Sequence, residues 1–187
     1  MQRWLFRREL EGLAGAEIFY LDECGVDHRL YREKARSPRG ERIYQAVSGK
    51  RRERTSIIAA SQRGKLVSPL VFQGCCNTEV VDTYFEQVLL PGLPSGSVIV
   101  LDNARFHQSS TTLNLVEEAG CQLLFLPAYS PDLNPIERLW RLLKAEWFCD
   151  FIAKDRDTLM ARLDVALQWV INRVDANQIT CAIKKEL

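Results

Sequence analysis

The chain has 187 residues, 47% hydrophobic and 26% charged, which suits one globular domain with a full core and calls for no second one. No stretch approaches the roughly 18 apolar residues of a membrane span, and the opening MQRWLFRREL, with three arginines and a glutamate and no apolar run behind them, does not read as a secretory signal. The expectation is a soluble, cytoplasmic protein.

Six cysteines are scattered without C-x-x-C spacing, and a domain of this size needs no staples, so they read as free thiols in a reducing compartment. With His28 and His107 the only histidines, a Cys/His zinc site is disfavoured as well. The net charge of +1 conceals an asymmetry: residues 27–54 hold ten Lys/Arg against four Asp/Glu. Such a segment fits either a basic surface for a polyanion or a solvated arginine-rich loop.

In chain order, residues 1–16 carry no clear pattern and are taken as a linker remnant or N-terminal extension to a domain spanning 17–187. Residues 17–22 (EIFYLD) are a short apolar run ending in acid, a buried strand. After the basic insert at about 24–54, residues 55–61 (TSIIAAS) and 66–72 (LVSPLVF) flank Gln62-Arg63-Gly64-Lys65 as a hairpin, and Pro69 assigns the second strand to an edge.

Val81, Tyr84, Phe85, Val88 and Leu89 recur at helical spacing until Pro91-Gly92. Residues 97–101 (SVIVL) form a β-branched strand, a helix capped by Ser109 or Ser110 closes at Gly120, and residues 122–126 (QLLFL) form the last strand. Pro127, Pro131 and Pro135 then forbid regular helix until Pro135, behind Asn134 as cap. Beyond it Ile136, Leu139, Trp140, Leu143 and Trp147 share one apolar face. A C-terminal helix from about 157 to 174 turns Leu159, Leu163, Leu167, Val170 and Val174 inward. Strand, insert, hairpin and alternating helices and strands describe an α/β layer fold: a mixed five-stranded sheet with helices on both faces.

Ligand sites on such sheets lie beyond the carboxyl ends of parallel strands. Asp22 follows one buried strand and Asp102 another, and Glu137 enters from the first turn of the helix after the last strand. If the first and fourth strands are neighbours, Asp22 and Asp102 sit side by side. Three carboxylates within about 4 Å would repel by on the order of 4 kcal/mol per pair at an effective dielectric of 20. A divalent ion removes the conflict, and an all-oxygen set suits Mg²⁺ or Mn²⁺. Taken singly, each has a structural role too: Asp22-Glu23 as a polar strand end before a turn at Gly25, Asp102-Asn103 as a turn former, and Glu137 closing a capping box with Asn134.

Three segments together, LDECG (21–25), VLDNARFHQS (100–109) and LPAYSPDLNPIERLW (126–140), resemble the DDE transposases of bacterial insertion sequences related to the mariner group, with 34 residues between Asp102 and Glu137. The resemblance implies an RNase H-like core and metal-dependent cleavage and strand transfer of DNA. It further implies Asp22, Asp102 and Glu137 as catalytic metal ligands for two Mg²⁺ or Mn²⁺ ions, a homodimer on DNA, and insertion at TA sites. Asn103 and His107 become motif residues that orient the site or touch DNA; His107 also fits a helix-leading residue bonded to backbone. The basic insert becomes a DNA-facing segment whose candidate phosphate contacts are Arg36, Arg39, Lys50, Arg51, Arg52 and Arg54. Complete enzymes of this type carry an N-terminal helix-turn-helix region, which the residues before the first strand are too few to form. The expectation is a catalytic domain acting at the nucleoid, without its own end recognition. An RNase H-like nuclease that joins nothing, or an inactive DNA-binding remnant, are the alternatives.

Overall fold

Five strands, β1 (Ile18–Val26), β2 (Thr55–Gln62), β3 (Lys65–Gln73), β4 (Val98–Leu101) and β5 (Gln122–Phe125), form one mixed sheet in the order β3-β2-β1-β4-β5. The computed structural model describes residues 1–26, 37–42, 44, 54–149, 151 and 153–172. Arg36, Lys50, Arg51, Arg52 and Val174 lie outside the described residues.

β1, β4 and β5 run parallel, whereas β1, β2 and β3 are antiparallel neighbours. The hairpin turns on Arg63 (φ 49°) and Gly64 (φ 78°), two consecutive left-handed residues as a type I′ turn demands. β3 is an edge strand, which tolerates Pro69 because a proline there withholds no needed donor. Its register against β2 slips between Ile58 and Ala60, beside Ser68 at φ 50°.

The expected end of the first strand at Asp22 is corrected. β1 continues to Val26, and Gly25 is a paired strand residue opposite Ser56 rather than a turn. The cause is the other flank: pairing with β4 stops at Tyr20 and Val100, but pairing with β2 runs on to Val26 and Thr55.

Helices cover both faces. On one, α2 (Thr78–Tyr84) continues as a π-helical turn over Phe85–Leu89 and packs with α3 (Ser110–Glu118) on Phe19, Leu21, Ile58, Ala60, Ile99 and Leu101. Asn77 caps α2 through the Val80 N–H, and Ser109 caps α3 through the Thr112 N–H. On the other face, α4 (Ile136–Leu143), its π-helical extension Lys144–Phe148 and α5 (Arg156–Asn172) close over Cys24, Val26, Ile57 and Ala59.

Residues 1–16 do not stand apart from this core. They form α1 (Gln2–Gly12), whose Phe6, Leu10 and Leu13 recur at helical spacing and lie on Val98, Val100, Leu124 and Leu126. Among the described residues no helix is long and apolar enough to cross a membrane.

Candidate active site

The sheet register places the first two carboxylates. Tyr20 pairs with Val100, and Asp22 and Asp102 each lie two residues further along neighbouring parallel strands. Strand side chains alternate with period two, so both acids belong to the face that carries α4. Glu137, in the first turn of α4, comes to the same place because Asn134 fastens the start of that helix to β1. Its Nδ2 donates to the Leu21 carbonyl at 3.1 Å, and its Oδ1 accepts from the Ile136 N–H at 3.4 Å. Asn134 is thus a strut, and its expected place as helix cap is corrected: α4 begins one residue later than the sequence suggests, so Pro135 takes the cap position. No capping box forms, which leaves the Glu137 carboxylate for the cavity.

Asp22, Asp102 and Glu137 line one cavity of about 460 Å³, together with Asn103 and the 126–131 loop. Tyr129 stands on its rim, fully exposed at φ 54°. Arg3 of α1 holds the same loop from outside, donating to Ser130 Oγ at 3.2 Å and to Asp132 Oδ1 at 2.9 Å.

The three acids stand in different environments. Asp22 Oδ2 accepts from Trp140 Nε1 at 3.1 Å. Burial first, then the charge of Glu23 and more weakly those of Glu137 and Asp102, push its carboxyl up to about 7, against a backbone hydrogen bond that lowers it. Asp102 goes the other way. Its Oδ1 accepts from His107 Nδ1 at 2.7 Å and from the Ala104 N–H at 3.0 Å, and the His107 bond chiefly holds its carboxyl below the ordinary range. For Glu137 no hydrogen bond or ion pair to a described residue engages the carboxylate.

His107 is buried, with its side chain 1% exposed, which among its expected roles favours orienting the site over touching DNA. Its Nε2 lies 2.7 Å from Glu23 Oε1 and its Nδ1 bonds Asp102. Burial lowers its pKa, yet the two carboxylate partners prevail and raise it to about 10. Asn103 is exposed at the cavity, where its Oδ1 accepts from Gln108 Nε2. Arg39 and Arg54 are exposed and do not line the cavity. The Arg54 guanidinium instead lies over Gly25, where a Cβ would meet Nη2 at 2.6 Å.

Sequence reasoning read Glu23 only as part of a polar strand end and Trp140 only as part of an apolar face. Strand alternation could have separated Glu23 from Asp22, but nothing in the sequence pairs Glu23 with His107, 84 residues away.

The donor set suits a hard divalent cation. All three groups are oxygen donors, and Asp22, raised first by burial and then by neighbouring negative charge, is an acid whose ionised form has no counter-ion. Among the described residues no three His, Cys, Asp or Glu side chains are gathered closely enough to hold a single ion, so the acids face a shared cavity rather than forming a closed cage.

A mixed sheet of this order with helices on both faces is an RNase H-like fold. The chain belongs to the DDE superfamily endonucleases, whose family model matches residues 17–160. A protein of Sinorhizobium fredii, described only as uncharacterized, is 28% identical over 100 residues, covering 52% of this chain and 71% of its own length. The transposable element Tc3 transposase of Caenorhabditis elegans is 50% identical over 42 residues, 22% of this chain and 13% of its own. Among solved structures, the Mos1 transposase paired-end complex with left transposon end superposes with a TM-score of 0.69 at 17% identity, covering 92% of this chain and 53% of that one. The catalytic domain of Mos1 mariner transposase gives 0.59 at 16%, covering 92% and 78%. The fold is therefore that of a transposase catalytic domain, and the chain spans about half the length of the Mos1 chain in the paired-end complex.

Proposed function

We propose that this chain is the catalytic domain of a DNA transposase, cleaving DNA strands and joining the freed 3′-ends to new DNA, with Asp22, Asp102 and Glu137 holding Mg²⁺ or Mn²⁺. One observation carries the reading: the three carboxylates of the transposase-like motifs line a single cavity beyond the point where the parallel strands stop pairing. Mos1 paired-end complexes that share the fold are described with Mn and with Mg, which supports the choice of metal.

Two ions there would supply Lewis-acid activation of an attacking water or 3′-hydroxyl and neutralise charge on the leaving oxygen. The protein's own residues do the holding. Asp22 is fixed in a strand and by Trp140, Asp102 is fixed through one oxygen, and Glu137 projects from a helix anchored by Asn134. In the proposal Asn103 and Tyr129 meet DNA at the rim, Arg39 and Arg54 contribute phosphate contacts with the other arginines and lysine of the basic segment, and two copies act together on paired ends and a TA target.

Pre-cleaved element ends, target DNA and Mg²⁺ or Mn²⁺ test this directly. Joined product from the wild type and none from Asp102→Ala is expected. Metal-dependent cutting without joining would replace the transposase reading by that of a nuclease. Absence of both reactions, with no metal uptake, would leave a DNA-binding remnant.

A further inference from the structure

We infer that Glu23 and His107 form a positioning pair that sets the Asp102 carboxylate from the reverse face of the sheet. The inference rests on the proposed role of Asp102 as a metal-holding residue.

Glu23 follows Asp22 in β1, so strand alternation turns it to the opposite face. There it serves as the far anchor of the His107 ring. Nε2 is tied to Glu23 Oε1 at 2.7 Å, and Nδ1 to Asp102 Oδ1 at 2.7 Å, with the Asp102 backbone carbonyl 3.2 Å away. The Phe106 ring packs edge-on at a centroid distance of 4.5 Å, and the His107 side chain is only 1% exposed. The ring is thus fixed at both ends and along one side.

Asp102 needs this support more than Asp22 does. It lies just past the end of β4, and its side chain is 54% exposed. Without a fixed partner it would sample several rotamers, and holding one would cost conformational entropy on each binding event. Two donors, His107 Nδ1 and the Ala104 N–H, converge on the same oxygen, Oδ1. That fixes the plane of the carboxylate and leaves Oδ2 for the cavity. His107 reaches no substrate, and Glu23 reaches Asp102 only through His107, although its charge also acts on Asp22. Groups that orient a metal ligand in this way typically govern affinity about 10- to 100-fold.

The test is Mn²⁺ affinity, followed by electron paramagnetic resonance of the free ion, in folded wild type, Glu23→Ala, Glu23→Gln, His107→Ala, each Glu23 variant combined with His107→Ala, and Asp102→Ala. Each single alanine variant should weaken Mn²⁺ binding about 10- to 100-fold. In the His107→Ala background, Glu23→Ala should bind no more weakly than Glu23→Gln, which removes the same charge from beside Asp22, because Glu23 reaches Asp102 only through His107. Glu23→Gln, which keeps an acceptor oxygen, should recover most of the affinity lost in Glu23→Ala. Weaker binding by Glu23→Ala than by Glu23→Gln in the His107→Ala background, or affinity unchanged in Glu23→Ala alone, would overturn the pair. If Asp102→Ala binds Mn²⁺ as tightly as the wild type, the metal-holding role of Asp102 fails instead.

Nitrogen-15 spectra of the imidazoles in metal-free protein then decide the pair on their own. The wild type should show a slowly exchanging His107 Nδ1–H that exchanges fast in Glu23→Ala. Slow exchange persisting in that variant would refute positioning through Glu23.

Discussion

Asp22→Asn should stabilise the protein when metal is withheld, and the gain should depend on pH. The Asp22 carboxyl sits at about 7 against an ordinary 3.8, so the folded chain holds a proton there that the unfolded chain has already released. Where the folded state binds more protons, stability falls as pH rises. The penalty is absent below about pH 4, grows between the two values and is complete above about 7. At roughly 1.4 kcal/mol per pH unit the full gap is about 4 kcal/mol, and water entering an open cavity brings this to about 2–4 kcal/mol. Asparagine removes the charge while its amide oxygen still accepts from Trp140 Nε1. For a chain of this length that corresponds to a melting temperature higher by about 5–15 °C at pH 8, shrinking towards zero near pH 4. Thermal melts by circular dichroism in EDTA across that range measure it. Saturating Mn²⁺ should raise the wild-type melting temperature and leave Asp22→Asn nearly unmoved. A variant that melts no higher than wild type at pH 8, or a gap independent of pH, would refute the account of a buried, uncompensated acid.

Three other outcomes follow from the same contacts. His107, raised to about 10, stabilises the fold fully below about pH 6.5 and loses that contribution as pH climbs through 10, so urea titrations of wild type and His107→Gln should converge at alkaline pH. Trp140→Phe removes the donor to Asp22 Oδ2 from a side chain that is 3% exposed, and urea unfolding should show a loss of about 1–3 kcal/mol. Phe6→Ala should cost about 3–5 kcal/mol and speed proteolysis within α1, since Phe6 is the buried residue of that helix.

Much of the fold was legible because its signals are local. The Arg63-Gly64 turn, the capping residue Ser109, and the β-branched run before Asp102 each state their role within a few residues. The extent of β1 was not legible: that strand is prolonged past Asp22 by β2, and strand pairing is a non-local fact. Nor was the place of α1, whose apolar residues make sense only once Val98, Val100 and Leu124 supply a surface. At the site, the two acids after apolar runs and the acid in a proline-led helix could be found by position. Glu23 could not, because its importance comes from a partner in another loop.

The outline of the cavity is drawn by backbone. β1 parts from β4 after Tyr20 and Val100, β4 from β5 after Leu101 and Phe125, and the 126–131 loop bridges the gap they leave. Side chains decorate an opening whose width is set by where three strands cease to share hydrogen bonds. Replacing a lining residue would alter what the opening does far more readily than its shape, so one framework of this kind can be retuned, or silenced, by single substitutions without being rebuilt.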